Sequence, residues 1–420
     1  MWNLRLCLVL MLTWLNFGST TSAQEIQRGK LKSLDVEKKK LVVTVEKRDL
    51  EFTLTDDTRV LGSSGKTLVE RFKEIKVGQE IFFRPITRNG REVLEAVKPV
   101  DGDRDGRQNP PGQRVSPEHA SLKPINELAD GKYQDFVGGF YPKGKNSRPQ
   151  DHEAAGLKLA SQIRPLNAEG KPDDSGKVVL LSLGMSNTSQ SSQGFQSALR
   201  EARELAPSFQ FVNGAQGGMT AEAIQDPNDN RTGARFWSEV DSRLKQAGVT
   251  RSQVQAVWIK QADAGPRQGF PDYALKLQKE LVRIVQVVHD RFPNTKLAYL
   301  SSRTYGGFAT TSLNPEPYAY ESGFAVKWLI EQQLDGDESL NFDPAKGAVK
   351  APWLSWGPYL WANGSTKRED GFSYEPSDFV GDGTHQSPAG QRKVGELLLK
   401  FFQTDTTTKP WFVRSSKNTD

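Results

Sequence analysis

The amino-acid sequence predicts an α/β protein in which a small antiparallel β-barrel precedes a three-layer αβα domain built on a parallel sheet. Between about residues 25 and 100, apolar and polar residues alternate in short runs separated by turn sequences, which favours a barrel. From Lys177 onward, short apolar runs alternate with longer amphipathic segments. This alternation indicates parallel strands with helices on both faces of the sheet.

Residues 1–23 have the three-part pattern of a secretory signal peptide. A basic start at Met1–Arg5 is followed by an apolar run at Leu6–Phe17, and small residues precede a cleavage that we expect after Ala23. A run of about a dozen apolar residues is short for a membrane span. The sequence therefore predicts a secreted or periplasmic protein whose mature chain has no membrane span and, without Cys7, no cysteine.

The barrel domain is expected over residues 25–100, and nothing in its residues indicates a ligand. Its predicted strands are residues 30–35, 40–45, 50–55, 58–61, 79–84 and 93–97.

Residues 101–131 are predicted to form a linker rich in glycine, proline and charge. Asp101–Gly106 matches the first half of a calcium-binding loop, because oxygen ligands alternate there and a glycine is sixth. The twelfth position, which should be a glutamate, is Gly112. A calcium site and a flexible linker both stay open.

Residues 132–405 are predicted to form the αβα domain, and residues 406–420 a C-terminal tail. A helix is expected within 151–163. The later strands are predicted at residues 177–183, 209–213, 254–260 and 296–301. The later helices are predicted at residues 192–205, 233–247, 272–292, 318–333 and 387–402.

Composition excludes several classes of partner and cofactor. The net charge is +5, and the basic residues are interspersed with acidic ones rather than gathered in a stripe, so a nucleic-acid partner is not expected. Three of the four histidines are scattered, and no group of His, Asp or Glu has metal-ligand spacing. We therefore expect no metal and no other cofactor. The sequence does not indicate the oligomeric state.

The most informative segment runs from Asp382 to Gly390. It places Asp382 three residues before His385, in a glycine-containing turn just ahead of an amphipathic helix. A histidine acts as a base towards a serine when a carboxylate holds its second ring nitrogen. Asp382 and His385 supply both groups from one loop.

Ser186 is the candidate nucleophile. The buried strand 177–183 ends at Gly184-Met185-Ser186, and a helix follows. A serine at such a turn presents its hydroxyl at the carboxyl edge of the sheet, where ligands of open α/β sheets bind. The amides at the helix N-terminus point towards whatever the serine attacks. The alternative for an isolated serine here is a helix N-cap.

Taken together, these segments resemble the SGNH (GDSL-like) hydrolase superfamily over roughly residues 176–402, and in particular its carbohydrate-esterase branch. The resemblance implies a flavodoxin-like sheet and a catalytic Ser186, Asp382 and His385. It also implies an oxyanion hole, in which Gly218, or next Gly217, donates an amide, and Gln261 takes the place of the usual asparagine. Met185 stands where the family commonly has an aspartate before the serine.

Two later stretches have the residue types that bind sugars, because aromatic rings stack on sugar faces and polar side chains bond hydroxyls. Arg303 and Tyr305 belong to the first stretch, 303–321, and Trp356 to the second, 353–364. The second stretch lies in a long loop from about 335 to 381, and long ordered loops tend to be functional. Packing of these aromatic residues onto the sheet is the alternative.

The resemblance implies hydrolysis of small acyl esters, and the aromatic loops with the signal peptide favour acetyl groups on extracellular carbohydrate. The sequence thus predicts a secreted serine esterase whose partner is an ester or an acylated carbohydrate. A catalytically degenerate relative that binds glycan, or acts as an extracellular scaffold, is the alternative.

Overall fold

The structure, a computed structural model, describes residues 27–45, 48–60, 67–73, 75–88, 91–99 and 121–414. They fall into two compact units, Met1–Gln108 and Asn109–Asp420. The predicted signal peptide and the calcium-like motif lie outside the described residues. None of the helices in the described ranges is long and apolar enough to cross a membrane.

The first unit is a small barrel whose centre is filled by aliphatic and aromatic side chains such as Leu31, Ile81 and Leu94. Its elements are β1 (Gln27–Asp35), β2 (Lys40–Val45), β3 (Arg48–Thr53), β4 (Arg59–Val60), α1 (Leu68–Phe72), β5 (Glu80–Arg88) and β6 (Arg91–Pro99). The order β3-β2-β1-β5-β6 is antiparallel, and a parallel pairing of β3 with β6 closes the ring. The predicted barrel is confirmed. It is not antiparallel throughout, however, because β3 and β6 pair in parallel.

The second unit contains a sheet of five parallel strands, whose hydrophobic residues form its core. Its strands are β9 (Val178–Gly184), β10 (Phe209–Asn213), β11 (Val254–Lys260), β12 (Leu297–Ser301) and β13 (Trp353–Trp356). A separate two-stranded hairpin consists of β7 (Lys132–Tyr133) and β8 (Phe136–Val137). Strands β9 and β11 are buried throughout, which is why their sequences are mostly apolar rather than alternating between apolar and polar residues.

Helices cover this sheet. They are α2 (Ile125–Leu128), α3 (Gln150–Ala160), α4 (Ser186–Glu201), α5 (Ala221–Ile224), α6 (Gly233–Gln246), α7 (Asp272–Arg291), α8 (Tyr318–Leu334), α9 (Pro388–Thr404) and α10 (Lys409–Phe412). Short 3₁₀ turns lie at Pro142–Gly144, Arg251–Gln253, Glu338–Leu340, Pro344–Lys346 and Pro376–Asp378.

The strand order places a crevice beside β9. The order β10-β9-β11-β12-β13 corresponds to 2-1-3-4-5 in chain order, which is the flavodoxin-like arrangement. After β9 the chain forms β10 at one edge of the sheet. It then returns past β9 to form β11, β12 and β13 towards the other edge. Because crossovers are right-handed, α4 and α7 lie on opposite faces of the sheet. Ligands bind at such a reversal, so the carboxyl ends of β9 and β11 are the expected site.

Four details differ from the sequence prediction. Helix α4 begins at Ser186, six residues before the predicted start at 192, because the turn at Gly184 leads directly into it. Strand β13 was missed, since four residues of a Trp-rich loop carry too short a pattern. Ile125 of the predicted linker and Phe412 of the predicted tail are both buried in the core of the second unit.

Candidate active site

Ser186, His385 and Asp382 form a continuous chain of hydrogen bonds. The Ser186 Oγ lies 2.8 Å from His385 Nε2, and His385 Nδ1 lies 2.5 Å from Asp382 Oδ2. Ser186 and the His385 ring are partly exposed, so a substrate can reach both groups. The structure thus brings together the three residues that the sequence singled out, although 199 positions separate the serine from the histidine.

Ser186 owes its position to the abrupt change from strand to helix. Gly184 ends β9 with φ +156°, where a Cβ would lie 2.2 Å from the Lys260 carbonyl oxygen. Met185 is buried and extended, and its carbonyl accepts the first helical hydrogen bond from Ser189. Ser186 is therefore the first residue of α4, and its amide lies outside the helical hydrogen-bond ladder. The positive end of the helix dipole faces the reacting hydroxyl.

The Asp382–His385 loop is held by its own backbone. Asp382 Oδ1 accepts hydrogen bonds of 2.9 Å from the amides of both Thr384 and His385, which leaves Oδ2 for the imidazole. Gly383 makes the turn with φ +66°, and a Cβ there would lie 1.7 Å from the Phe308 carbonyl oxygen. Only glycine fits this turn without displacing the loop.

The pKa of Asp382 is lowered from its ordinary value. Burial acts to raise this pKa, but hydrogen bonds from the His385 ring and from the amides of His385 and Thr384 outweigh it. The carboxylate therefore stays ionised through the neutral range. Its contribution to stability is present above its ordinary pKa near 3.8 and is lost as the pH falls through the lowered value.

A glycine contact between two helices sets the distance from serine to histidine. Helix α4 begins at Ser186 and α9 begins three residues after His385. They pack backbone against backbone, because a Cβ on Gly194 would lie 1.8 Å from the Gln391 carbonyl oxygen and one on Gly395 would lie 2.2 Å from the Gly194 carbonyl carbon.

We expect Gly194→Ala to push α4 and α9 apart. Overpacking of this kind costs about 1–3 kcal/mol of unfolding free energy, and the wider gap should also weaken the Ser186–His385 bond. Thermal unfolding and ester hydrolysis measure the two effects. Gly269→Ala is the matched control, since a Cβ at Gly269 meets nothing within 4 Å. An unaltered melting temperature for Gly194→Ala would contradict the close packing.

Exposed amides lie beside Ser186 in the loop after β10. The loop is fixed by a 2.9 Å hydrogen bond from the Gln216 amide to the Gly184 carbonyl. A Cβ on Gly217 would lie 3.8 Å from the Ser186 Cβ, and Gly218 follows with φ +75°. Within the described chain, neither glycine amide donates a hydrogen bond. Both remain candidates for the oxyanion hole, together with the Ser186 amide.

Gln261 is placed differently from the sequence prediction. Its Nε2 donates to the Met219 carbonyl at 2.9 Å, and its Oε1 accepts from the Ala262 amide at 3.0 Å. Gln261 is 2% exposed. The geometry favours a positioning role, in which Gln261 anchors the loop that carries Gly217 and Gly218, over direct donation to an oxyanion.

Asn187 and Lys260 are site residues that sequence reasoning missed. The Asn187 Nδ2 donates to the Thr384 carbonyl at 3.0 Å, which ties the serine turn to the histidine loop. Its Oδ1 accepts from the Lys260 ammonium and, at 3.3 Å, from the Thr304 hydroxyl. Burial and then the charge of Arg303 hold the pKa of Lys260 well below its usual range. The sequence signal that could have revealed Lys260 is its position, since it is the one charged residue in the strand 254–260 and ends that strand.

The three predicted substrate residues do not lie together. Arg303 follows β12 at the carboxyl edge and is 5% exposed. Tyr305 packs edge-on against Phe308 and Trp361, as a core residue does. Trp356 ends the edge strand β13, donates its indole N–H to the Phe140 carbonyl, and lines a separate cavity of about 660 Å³. Arg303 and Tyr305 therefore belong to the loop after β12 at the carboxyl edge, whereas Trp356 faces a different cavity.

One group of acidic residues in the described chain has metal-like spacing. Carboxylate oxygens of Glu222, Asp263 and Glu280 lie within 4.8 Å of one another. The Lys276 ammonium contacts all three, at 3.0, 2.6 and 3.0 Å respectively. In this arrangement the cluster holds an ammonium group, and it takes no part in the proton relay of Ser186.

The Glu280 carboxyl should make stability depend on pH. Burial, followed by the neighbouring charge of Asp263, raises the pKa of Glu280 to about 8, although Lys276 opposes the shift. The folded protein then binds a proton that the unfolded chain releases near pH 4.5. Stability should therefore fall as the pH rises from about 4.5 to about 8.

We expect Glu280→Gln to remove this part of the pH dependence. The melting temperature of the variant relative to the wild type should be higher at pH 9 than at pH 5, because glutamine mimics the protonated acid. Glu239→Gln, on the exposed part of α6, serves as the control. If the difference in melting temperature between Glu280→Gln and the wild type were the same at pH 5 and pH 9, Glu280 would not titrate in this range.

Comparison with known proteins gives structural similarities alone. No family model and no curated protein matches the chain. Metal-free CusF from Escherichia coli aligns at 18% identity over 21% of this chain and 100% of its own, with a TM-score of 0.17. A lipase from a goat rumen metagenome aligns at 14% identity over 53% of this chain and 97% of its own, with a TM-score of 0.32.

A protein described as an acylhydrolase from Bacteroides fragilis aligns at 9% identity, over 60% of this chain and 97% of its own, with a TM-score of 0.33. Each of these three structures is covered almost completely, whereas they cover 21% to 60% of this chain. Each is therefore similar to one part of it.

Proposed function

We propose that the second unit is a serine hydrolase of small acyl esters, with Ser186 as nucleophile, His385 as general base and Asp382 as the carboxylate that orients the imidazole. The observation that carries the proposal is the relay with contacts of 2.8 Å and 2.5 Å at the carboxyl edge of the sheet. The relay faces solvent through a partly exposed serine, as an enzyme acting on external substrates requires.

The mechanism begins with a neutral imidazole. Its Nδ1–H donates a hydrogen bond to the Asp382 carboxylate, so Nε2 carries no proton and can accept the proton of Ser186 while Oγ attacks the ester carbonyl. In this proposal, the amides of Ser186, Gly217 and Gly218 stabilise the oxyanion that forms. Each lost donor typically lowers the rate by about 10²–10³. His385 then protonates the departing alcohol.

The same residues then hydrolyse the acyl-enzyme, with water in the place of the departed alcohol. His385 removes a proton from water, the hydroxide attacks the acyl carbonyl, and the proton returns to the Ser186 Oγ as the acid leaves. Asp382 stays ionised throughout and stabilises the transient imidazolium.

We further propose that the substrate is an acylated carbohydrate, most simply an acetylated one, encountered after secretion. The resemblance to carbohydrate esterases and the three-part N-terminal pattern support this choice.

The glycan-binding alternative predicts a folded protein with an inert serine. Labelling by a fluorophosphonate, which reacts with activated serines, separates the two functions. Release of acetate from 4-nitrophenyl acetate, acetylated xylan and O-acetylated sialic acid then ranks the substrates. Labelling together with hydrolysis supports the esterase. A folded protein that neither labels nor hydrolyses any ester would refute it.

A further inference from the structure

The side chain of Arg303 is almost wholly buried, and its guanidinium has no partner among the described residues. Arg303 is 5% exposed, and its Nε is buried with no hydrogen-bond partner. Among the described residues, no side chain or carbonyl accepts a hydrogen bond from its terminal nitrogens, and no carboxylate lies within ion-pair distance. A charge left without a partner in the interior is costly, so the free guanidinium of Arg303 is available to a ligand of opposite charge.

The nearest acidic group does not neutralise Arg303. Glu316 is buried beside it, but its carboxylate is already used by other donors. Oε1 accepts from the Gly306 amide at 2.8 Å and the Trp361 indole at 2.7 Å, and Oε2 accepts from the Tyr320 amide at 3.0 Å. Glu316 thus supports the loop after β12, and the fork of Arg303 stays free.

Sheet register places Arg303 near the proposed nucleophile. Lys260 pairs with Gly184 on one side and with Ser301 on the other, so these three residues form one row across the sheet. Ser186 and Arg303 each lie two residues beyond that row. Two strand spacings, or about 10 Å, separate the ends of β9 and β12 from which these two residues follow. A substrate held at Ser186 would reach Arg303 by extending over β11.

A second unsatisfied polar atom lies in the same region. Asn314 is buried with φ +58°, and its Nδ2 donates to the Asp263 carbonyl at 2.9 Å and to the Tyr273 hydroxyl at 3.1 Å. Its Oδ1 has no partner in the described chain. The charge of Arg303 acts on the same Tyr273 hydroxyl. A cation and an acceptor are thus both left open beside the proposed site.

We propose that Arg303 binds a free carboxylate of the substrate, so that the enzyme prefers esters carrying a second, anionic group, such as O-acylated acidic sugars. The inference rests on the esterase function proposed above. A guanidinium presents a planar fork that matches a carboxylate with two parallel hydrogen bonds. Recognition would place the carboxylate over β11 and the ester carbonyl at Ser186.

Two pairs of esters test this preference and show which side of the ester bears the carboxylate. On the alcohol side, 4-acetoxybenzoate is compared with its neutral methyl ester. On the acyl side, mono-4-nitrophenyl succinate is compared with its neutral methyl ester. The expected result is a higher kcat/KM for the anionic member of at least one pair. Equal or lower values in both pairs would overturn the inference while leaving the esterase function standing.

Arg303→Gln should reduce the anionic-to-neutral ratio of kcat/KM by about 10- to 100-fold, the range expected for a charge-assisted pair. Arg267→Gln is the matched control, because Arg267 is exposed on the loop after Asp263 and carries the same charge. It should leave the ratio unchanged. A ratio lowered equally by both variants would indicate general attraction of anions and overturn the role of Arg303.

A binding measurement keeps the inference testable if no ester is hydrolysed. Glucuronate at millimolar concentration should raise the melting temperature of the wild type more than glucose does, and Arg303→Gln should abolish the difference. With no hydrolysis, the esterase proposal fails and this measurement alone decides on Arg303. Equal shifts for the two sugars would then overturn carboxylate binding.

Discussion

Replacement of Ser186 by alanine is expected to abolish ester hydrolysis while the protein remains folded. Alanine removes the nucleophilic oxygen, and the His385 imidazole is left 2.8 Å from where that oxygen was, with nothing to activate. Loss of a catalytic serine lowers kcat by up to about 10⁶-fold in a serine protease, so a loss of at least about 10³-fold is expected here. Acetate release and fluorophosphonate labelling measure it.

The control for this variant is Ser197→Ala in the same helix. Ser197 is exposed, and its hydroxyl bonds to the Gln193 carbonyl within α4. Its replacement should change neither activity nor labelling. Both variants should melt within a few degrees of the wild type, because neither hydroxyl is needed to start α4. If purified Ser186→Ala kept substantial activity, Ser186 could not be the nucleophile.

The second large effect is expected for Asp382→Asn. The asparagine oxygen can still accept from the Thr384 and His385 amides, so the loop keeps its shape. Its amide group would donate to His385 Nδ1, however, and the imidazole would then carry its proton on Nε2, facing Ser186. The base is therefore lost. In a serine protease the same change lowers kcat by about 10⁴-fold.

Kinetics on 4-nitrophenyl acetate separate orientation of the base from substrate binding. For Asp382→Asn we expect kcat to fall by about 10²–10⁴-fold with little change in KM, and labelling to slow in parallel. Asp337→Asn, which replaces the carboxylate that accepts from Gln332 and Ser339 after α8, is the comparison. A similar loss in both variants would indicate damage to the fold rather than to the relay.

The sequence was most informative where chemistry and topology restrict the residue type. The strand 254–260 was predicted with its observed bounds, because a fully buried parallel strand is rich in apolar residues along its whole length. Ser186 and the Asp382–His385 pair were recognisable since each follows a glycine turn at a place that the fold exposes. The contact of Ser186 with His385 follows from the packing of α4 against α9, and no local sequence pattern records it.

Other features depend on contacts that sequence does not show. Trp356 has a residue type suited to sugars, yet β13 is the edge strand and directs it to a different cavity. Gln261 was assigned by position in a family pattern, whereas its amide is used by the Met219 carbonyl. The isolation of Arg303 is a property of its surroundings, because an arginine in sequence does not reveal whether a carboxylate will meet it.

The close contact of α4 with α9 also bears on how the protein acquires activity as it is made. A ribosome completes the strand and turn that carry Ser186 long before it reaches His385 and α9. Until α9 docks on Gly194, the serine has no base and is an ordinary alcohol. A chain that ends before residue 385, or from which α9 is cleaved, should therefore hydrolyse no ester in the compartment where it was synthesised.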